Sequence, residues 1–173
     1  NVHGNSPTET IFKAVLVDSR SPMDDLGSVD TLGLNLAFGG SQKTYEAIMS
    51  DKEAIKIEAQ TDYLESESIP SQDRYVFTYT ITIRNQSSSA ARLIARHWII
   101  TDALGRVQEV HGEGVVGVMP NIEPGRAFQY TSAAMINTPV GTMEGEYQMR
   151  NDSGEVFDAK IPAFTLAAPH TLH

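Results

Sequence analysis

The chain has 173 residues, 40% of them hydrophobic, and a formal net charge of −9 from 13 basic and 22 acidic side chains. That length suits one domain, or one domain with an extension, and the acidic balance turns the surface field against phosphate backbones, so nucleic acid is not an expected partner. Cysteine is absent, which excludes disulfides, zinc–thiolate sites and cysteine nucleophiles and fits a reducing, cytoplasmic compartment.

No apolar run approaches the roughly 18 residues of a membrane helix, so no membrane span is expected. Residues 1–18 lack the basic-then-apolar order of a signal peptide. Residues 1–52 read as an N-terminal extension. Within it, residues 10–17 form a short apolar run that suits a strand. Residues 18–30 hold Pro22 and Gly27 among Asp and Ser and read as loop. Residues 41–54 carry Tyr45, Ile48 and Met49 at helical spacing behind a Ser41 N-cap, which predicts one short packing helix.

From residue 53 to 169 the period changes to two, as in a strand whose successive side chains face opposite ways. Ile55, Ile57 and Ala59 alternate with polar residues. Tyr75, Phe77, Tyr79, Ile81 and Ile83 share one face of a long strand. Residues 91–101 form a second strong strand, 102–105 a tight turn, and 106–111 its hairpin partner. Further strands are expected at 127–132, 142–150, 156–161 and 163–166, the last two divided by Pro162. Residues 170–173 are a tail. Some seven or eight short strands predict an all-β, antiparallel sandwich of the fibronectin type III or immunoglobulin-like kind, without the Cys–Trp–Cys signature. An eight-stranded barrel is the alternative.

Gly112, Gly114 and Gly117 match the G-x-G-x-x-G spacing of a dinucleotide loop. That chemistry needs a following helix, whose free N–H groups face the pyrophosphate. Pro120, Pro124 and Gly125 forbid one here, and position 132, where an acid should hold a ribose, is Ser. A simpler anion nest of loop N–H groups is compatible with the glycines, with Arg106 or Arg126 adding charge. In the alternative, they only permit turns and bulges at a sandwich edge.

His97 and His111 fall on neighbouring strands if the 102–105 hairpin forms, with Asp102, Glu109 and Glu113 close in sequence. These residue types can hold a divalent metal; the plainer alternative is hydrogen bonding beside the sheet. Strict alternation puts Arg92, Ile94, Arg96, Trp98 and Ile100 on one strand face and Leu93, Ala95, His97 and Ile99 on the other. The first face is either core with charged ends or an exposed ladder in which Arg92, Arg96 and Trp98 contact another protein. Glu144 and Glu146 share a solvated face. No Gly-x-Ser-x-Gly elbow is present, and no catalytic set emerges, so the reading is of a non-enzyme without a cofactor.

Several ordered segments resemble the bacterial ApaG family. They are Tyr79-Thr80-Ile81-Thr82-Ile83-Arg84-Asn85, Arg96-His97-Trp98-Ile99-Ile100-Thr101-Asp102, Gly112-Glu113-Gly114-Val115-Val116-Gly117 and Thr138-Pro139-Val140-Gly141-Thr142-Met143-Glu144-Gly145. Phe157-Asp158 and Ile161-Pro162-Ala163-Phe164 continue the likeness. The resemblance covers about residues 54–169 and implies a fibronectin type III-like sandwich without enzymatic activity. It further implies a link to cobalt resistance and magnesium efflux, a role as a protein-interaction module, and a glycine-rich loop suited to pyrophosphate or a nucleotide.

Overall fold

The computed structural model describes residues 12–15 and 54–170. Nine strands are found there, numbered in chain order: β1 (Phe12–Val15), β2 (Ile55–Tyr63), β3 (Tyr75–Asn85), β4 (Ala91–Asp102), β5 (Val107–Glu113), β6 (Asn121–Ile122), β7 (Ala127–Ile136), β8 (Val140–Asn151) and β9 (Val156–Ala167). One sheet has the order β1-β7-β3-β2. The other runs β5-β4-β8-β9, with the short β6 also on β4. Every pairing is antiparallel. The protein is therefore a sandwich of two sheets, as the alternation predicts, and not a closed barrel. The strand expected at residues 10–17 is present as β1, which adds to the edge of β7. Residues 41–53 of the expected helix lie outside the described residues. Among the described residues no helix is long and apolar enough to cross a membrane.

The inward faces supply the core. Phe77, Tyr79, Ile81, Ile83, Phe128 and Tyr130 of the first sheet meet Trp98, Met143, Tyr147, Met149, Ile161 and Leu166 of the second. Trp98 is 1% exposed. Its indole meets Tyr79, Tyr147 and Phe164 edge-on, with ring centroids 5.4, 6.2 and 5.9 Å away, the arrangement that the aromatic quadrupole favours. Two buried polar sites of this core are paired, whereas the Trp98 indole N–H has no hydrogen-bond partner among the described residues. The Tyr130 and Tyr147 hydroxyls lie 2.5 Å apart. Asn85, fully buried, donates from Nδ2 to the carbonyls of Ser89 and Ile122 and accepts from Ser87.

Two departures from simple alternation matter. In β4 the pairing with β8 steps from Leu93–Met149 to Ala95–Gln148, leaving Ile94 as the extra residue of a bulge. The bulge reverses parity. Ala91 and Leu93 point inward before it, and Trp98 and Ile100 after it. A single face carrying Arg92, Arg96 and Trp98 therefore does not exist, and this corrects the sequence expectation. Arg92 is exposed while Trp98 is core. The second departure is Pro162, expected to separate two strands. β9 instead runs through it, because the proline sits at a register shift on an edge strand, where no ladder N–H is required.

Candidate functional site

The outward face of the β4–β5 hairpin collects the titratable side chains. Antiparallel register sets His97 opposite His111 and Ile99 opposite Glu109. On the other flank of β4 it sets His97 opposite Glu146, and Glu146 opposite Lys160. His111, His97, Glu146 and Lys160 thus form a row across four strands. The two imidazoles stack in parallel, with centroids 4.0 Å apart and planes 9° apart. One carboxylate oxygen of Glu109 lies 3.0 Å from His97 Nε2 and 3.5 Å from His111 Nε2. Glu146 Oε1 is 3.8 Å from His97 Nδ1. The hydrogen bond with the His97 imidazole holds the Glu109 carboxyl below its ordinary range, against an opposing effect of desolvation. Beside this cluster a groove of about 270 Å³ is lined by His97, Ile99, Glu144, Gly145, Glu146 and Lys160.

The glycine-rich segment has a different geometry. Gly112 belongs to β5 and not to a loop. It lies opposite Arg96, and a Cβ there would fall 2.7 Å from Arg96 Nη1. Its missing side chain is the space in which the guanidinium lies and donates to the carbonyls of Glu113 and Gly114, at 3.1 and 2.9 Å. Beyond it, Val115 and Val118 close a two-residue reverse turn with reciprocal hydrogen bonds of 2.9 and 3.0 Å. Its central residues, Val116 and Gly117, both have left-handed backbone, φ +44° and +81°. That is the type I′ pattern, easy for glycine and strained for a β-branched residue. The N–H groups of Gly114, Val115 and Val118 are all bonded to backbone carbonyls within the sheet and turn. The strand β6 follows, with no helix.

Of the sequence candidates, the structure brings His97 and His111 into contact, as their register expectation required. Arg106 lies at the opposite end of β5 from the glycine turn. It is held by Asp102, whose Oδ2 accepts from its Nε at 2.6 Å. Burial would raise the Asp102 carboxyl, but hydrogen bonds from the Arg106 N–H and guanidinium and the Leu104 N–H keep it below its ordinary value. Arg126 sits between β6 and β7, and its carbonyl accepts from the Asn85 N–H. Arg92 reaches from β4 to the Met119 carbonyl at 3.4 Å. Trp98 belongs to the core and to no contact surface.

Sequence reasoning placed Glu109 near the histidines but read Glu146 only as part of a solvated face. Its approach to His97 depends on the β4–β8 register, which joins residues far apart in the chain. The exposed apolar side chains were also missed. Leu104 is 73% exposed, Val107 56%, Val118 44% and Met119 39%. The first pair lies at or just before the start of β5 and the second just after its end. β5 itself has β4 on one side and no described strand on the other.

A family model described as the ApaG domain matches residues 65–151. The chain is 55% identical over 124 residues to "Protein ApaG" of Azoarcus sp. (strain BH72), covering 72% of this chain and 98% of that relative. It is 57% identical over 122 residues to "Protein ApaG" of Thiobacillus denitrificans, covering 70% and 96%. Among solved structures, the X-ray structure of a structural-genomics target matches with TM-score 0.69 at 49% identity, covering 72% of this chain and 94% of that one. A crystal structure titled as the putative ApaA protein from Bordetella pertussis matches with TM-score 0.66 at 46% identity, covering 68% and 95%.

Proposed function

Because the chain belongs to the ApaG-domain family, we propose that it is a non-enzymatic docking module whose β5 edge accepts an extended segment of another protein. The observation that carries this reading is the setting of β5. Its outer edge has no described strand beside it. An edge strand offers unpaired N–H and C=O groups that a partner strand can complete. Leu104 and Val107 at one end, and Val118 and Met119 at the other, give that partner two apolar footholds. Arg92 borders the second foothold. Glu109 and Glu113, exposed on β5, favour a segment bearing Lys or Arg, since complementary charge steers encounter and fixes register.

On this reading the glycine turn carries Val118 and Met119 to the docking surface, and no anion is required. The family's label of cobalt resistance and magnesium efflux then describes what the partner does. The absence of cysteine fits work in the cytoplasm. The test pairs capture with stability. Val107→Lys with Val118→Lys replaces exposed side chains, so thermal stability should hold. Capture of the partner retained by the parent chain should fall at least about tenfold, the effect of about 1.4 kcal/mol. Undiminished capture by a folded double variant defeats the proposal.

A further inference from the structure

We propose that His97, Glu109 and His111 form a binding site for one divalent transition-metal ion of the zinc class. Two of its ligands, Glu109 and His111, stand on the outward face of β5 itself, but the argument rests on the convergence of ligand atoms and not on the docking reading. One ligand atom from each of the three residues lies within 4.8 Å of the other two. A tetrahedral ion with bonds of about 2.0–2.1 Å requires its ligand atoms roughly 3.3 Å apart. The two nitrogen–oxygen separations, 3.0 and 3.5 Å, straddle that value. The remaining edge joins the two imidazoles, which must open slightly from their parallel stack. His111, with a side chain 67% exposed, is free to do so.

The supporting shell also fits. Glu146 lies at the Nδ1 side of His97. With a cation in place of the Nε2 hydrogen, the proton moves to Nδ1, on the side where Glu146 can accept it; carboxylates orient metal-ligating histidines in this way. Both imidazole Nε2 atoms already converge on a single carboxylate oxygen, so a cation between the three atoms takes the place of the His97–Glu109 hydrogen bond. Glu109 and His111 are exposed, so solvent can supply a water ligand. Two imidazoles and one carboxylate are a borderline set. It suits Zn²⁺, Ni²⁺ or Cu²⁺, whereas Mg²⁺ and Ca²⁺ prefer oxygen ligands alone.

Calorimetric titration of the full chain with ZnCl₂ and with MgCl₂ tests the site, with imidazole resonances followed by NMR. One Zn²⁺ per chain is expected, with shifts confined to His97 and His111 and no heat from Mg²⁺. His111→Ala changes an exposed side chain and should keep the fold while weakening Zn²⁺ at least tenfold. Glu146→Gln should weaken it by about tenfold as well. A His170→Ala, His173→Ala variant should bind as the parent does. Equal Zn²⁺ affinity in the parent and His111→Ala, or loss only in the His170 and His173 variant, overturns the proposal.

Discussion

The Tyr130 and Tyr147 hydroxyls meet in the core, where both phenols are pushed well above their ordinary value. Burial is the main cause for each, and Tyr147 and Tyr79 add to it at Tyr130. A raised folded-state value means that the unfolded chain releases these protons first. Their stabilisation is therefore complete below about pH 10, the ordinary phenol value, and is lost as pH rises above it. Urea midpoints measured from pH 7 to 11.5 should fall on the alkaline limb for the parent chain. They should fall less steeply for Tyr130→Phe with Tyr147→Phe. An equal alkaline slope in both would remove the pair as its origin. At this scale the sequence was only partly legible. The inward tyrosines followed from alternation, but Gly112 read either as a ligand-loop glycine or as one that permits a turn or bulge. Its role, to leave space for Arg96 on the facing strand, is visible only once the two strands are paired.

At the scale of elements, the bulge at Ile94 governs which residues of β4 face the core. Period two, read without it, puts Leu93 and Trp98 on opposite sides, yet both are buried. A bulge leaves no composition signal here, since Ile94 is as strand-like as its neighbours, and the register shift is set by contacts with β8. Deleting Ile94 should turn either Ala91 and Leu93 or Trp98 and Ile100 toward water. A core side chain of this size is worth about 3–5 kcal/mol, so urea unfolding should show a loss of at least about 3 kcal/mol. Near-parental stability would mean that the bulge is dispensable. The turns, by contrast, were legible, because their chemistry is local. Asp102 accepts from the Leu104 and Arg106 N–H groups, and Asn151 does the same for Ser153 and Glu155. Pro162 misled because its tolerance depends on being at an edge, which is a property of the assembled sheet.

For the whole molecule, the two sheets meet differently at their two sides. At one, β2 and β9 lie close, and Thr61 Oγ1 donates to the Thr165 carbonyl at 3.3 Å. At the other, β5 presents its edge between two pairs of exposed apolar side chains, on a chain whose net charge is −9. The sandwich was legible from alternation and turn spacing, but sheet order was not, because β3–β7 and β4–β8 pair across long stretches of sequence. The proposed docking surface shares that origin, since exposure of an edge exists only after the strands are ordered. The most direct measurement is amide hydrogen exchange across the chain, free and bound to its captured partner. A segment added to β5 should slow exchange at residues 107–113, with Val118 and Met119 alongside. Protection elsewhere, with β5 exchanging as fast bound as free, would contradict the account.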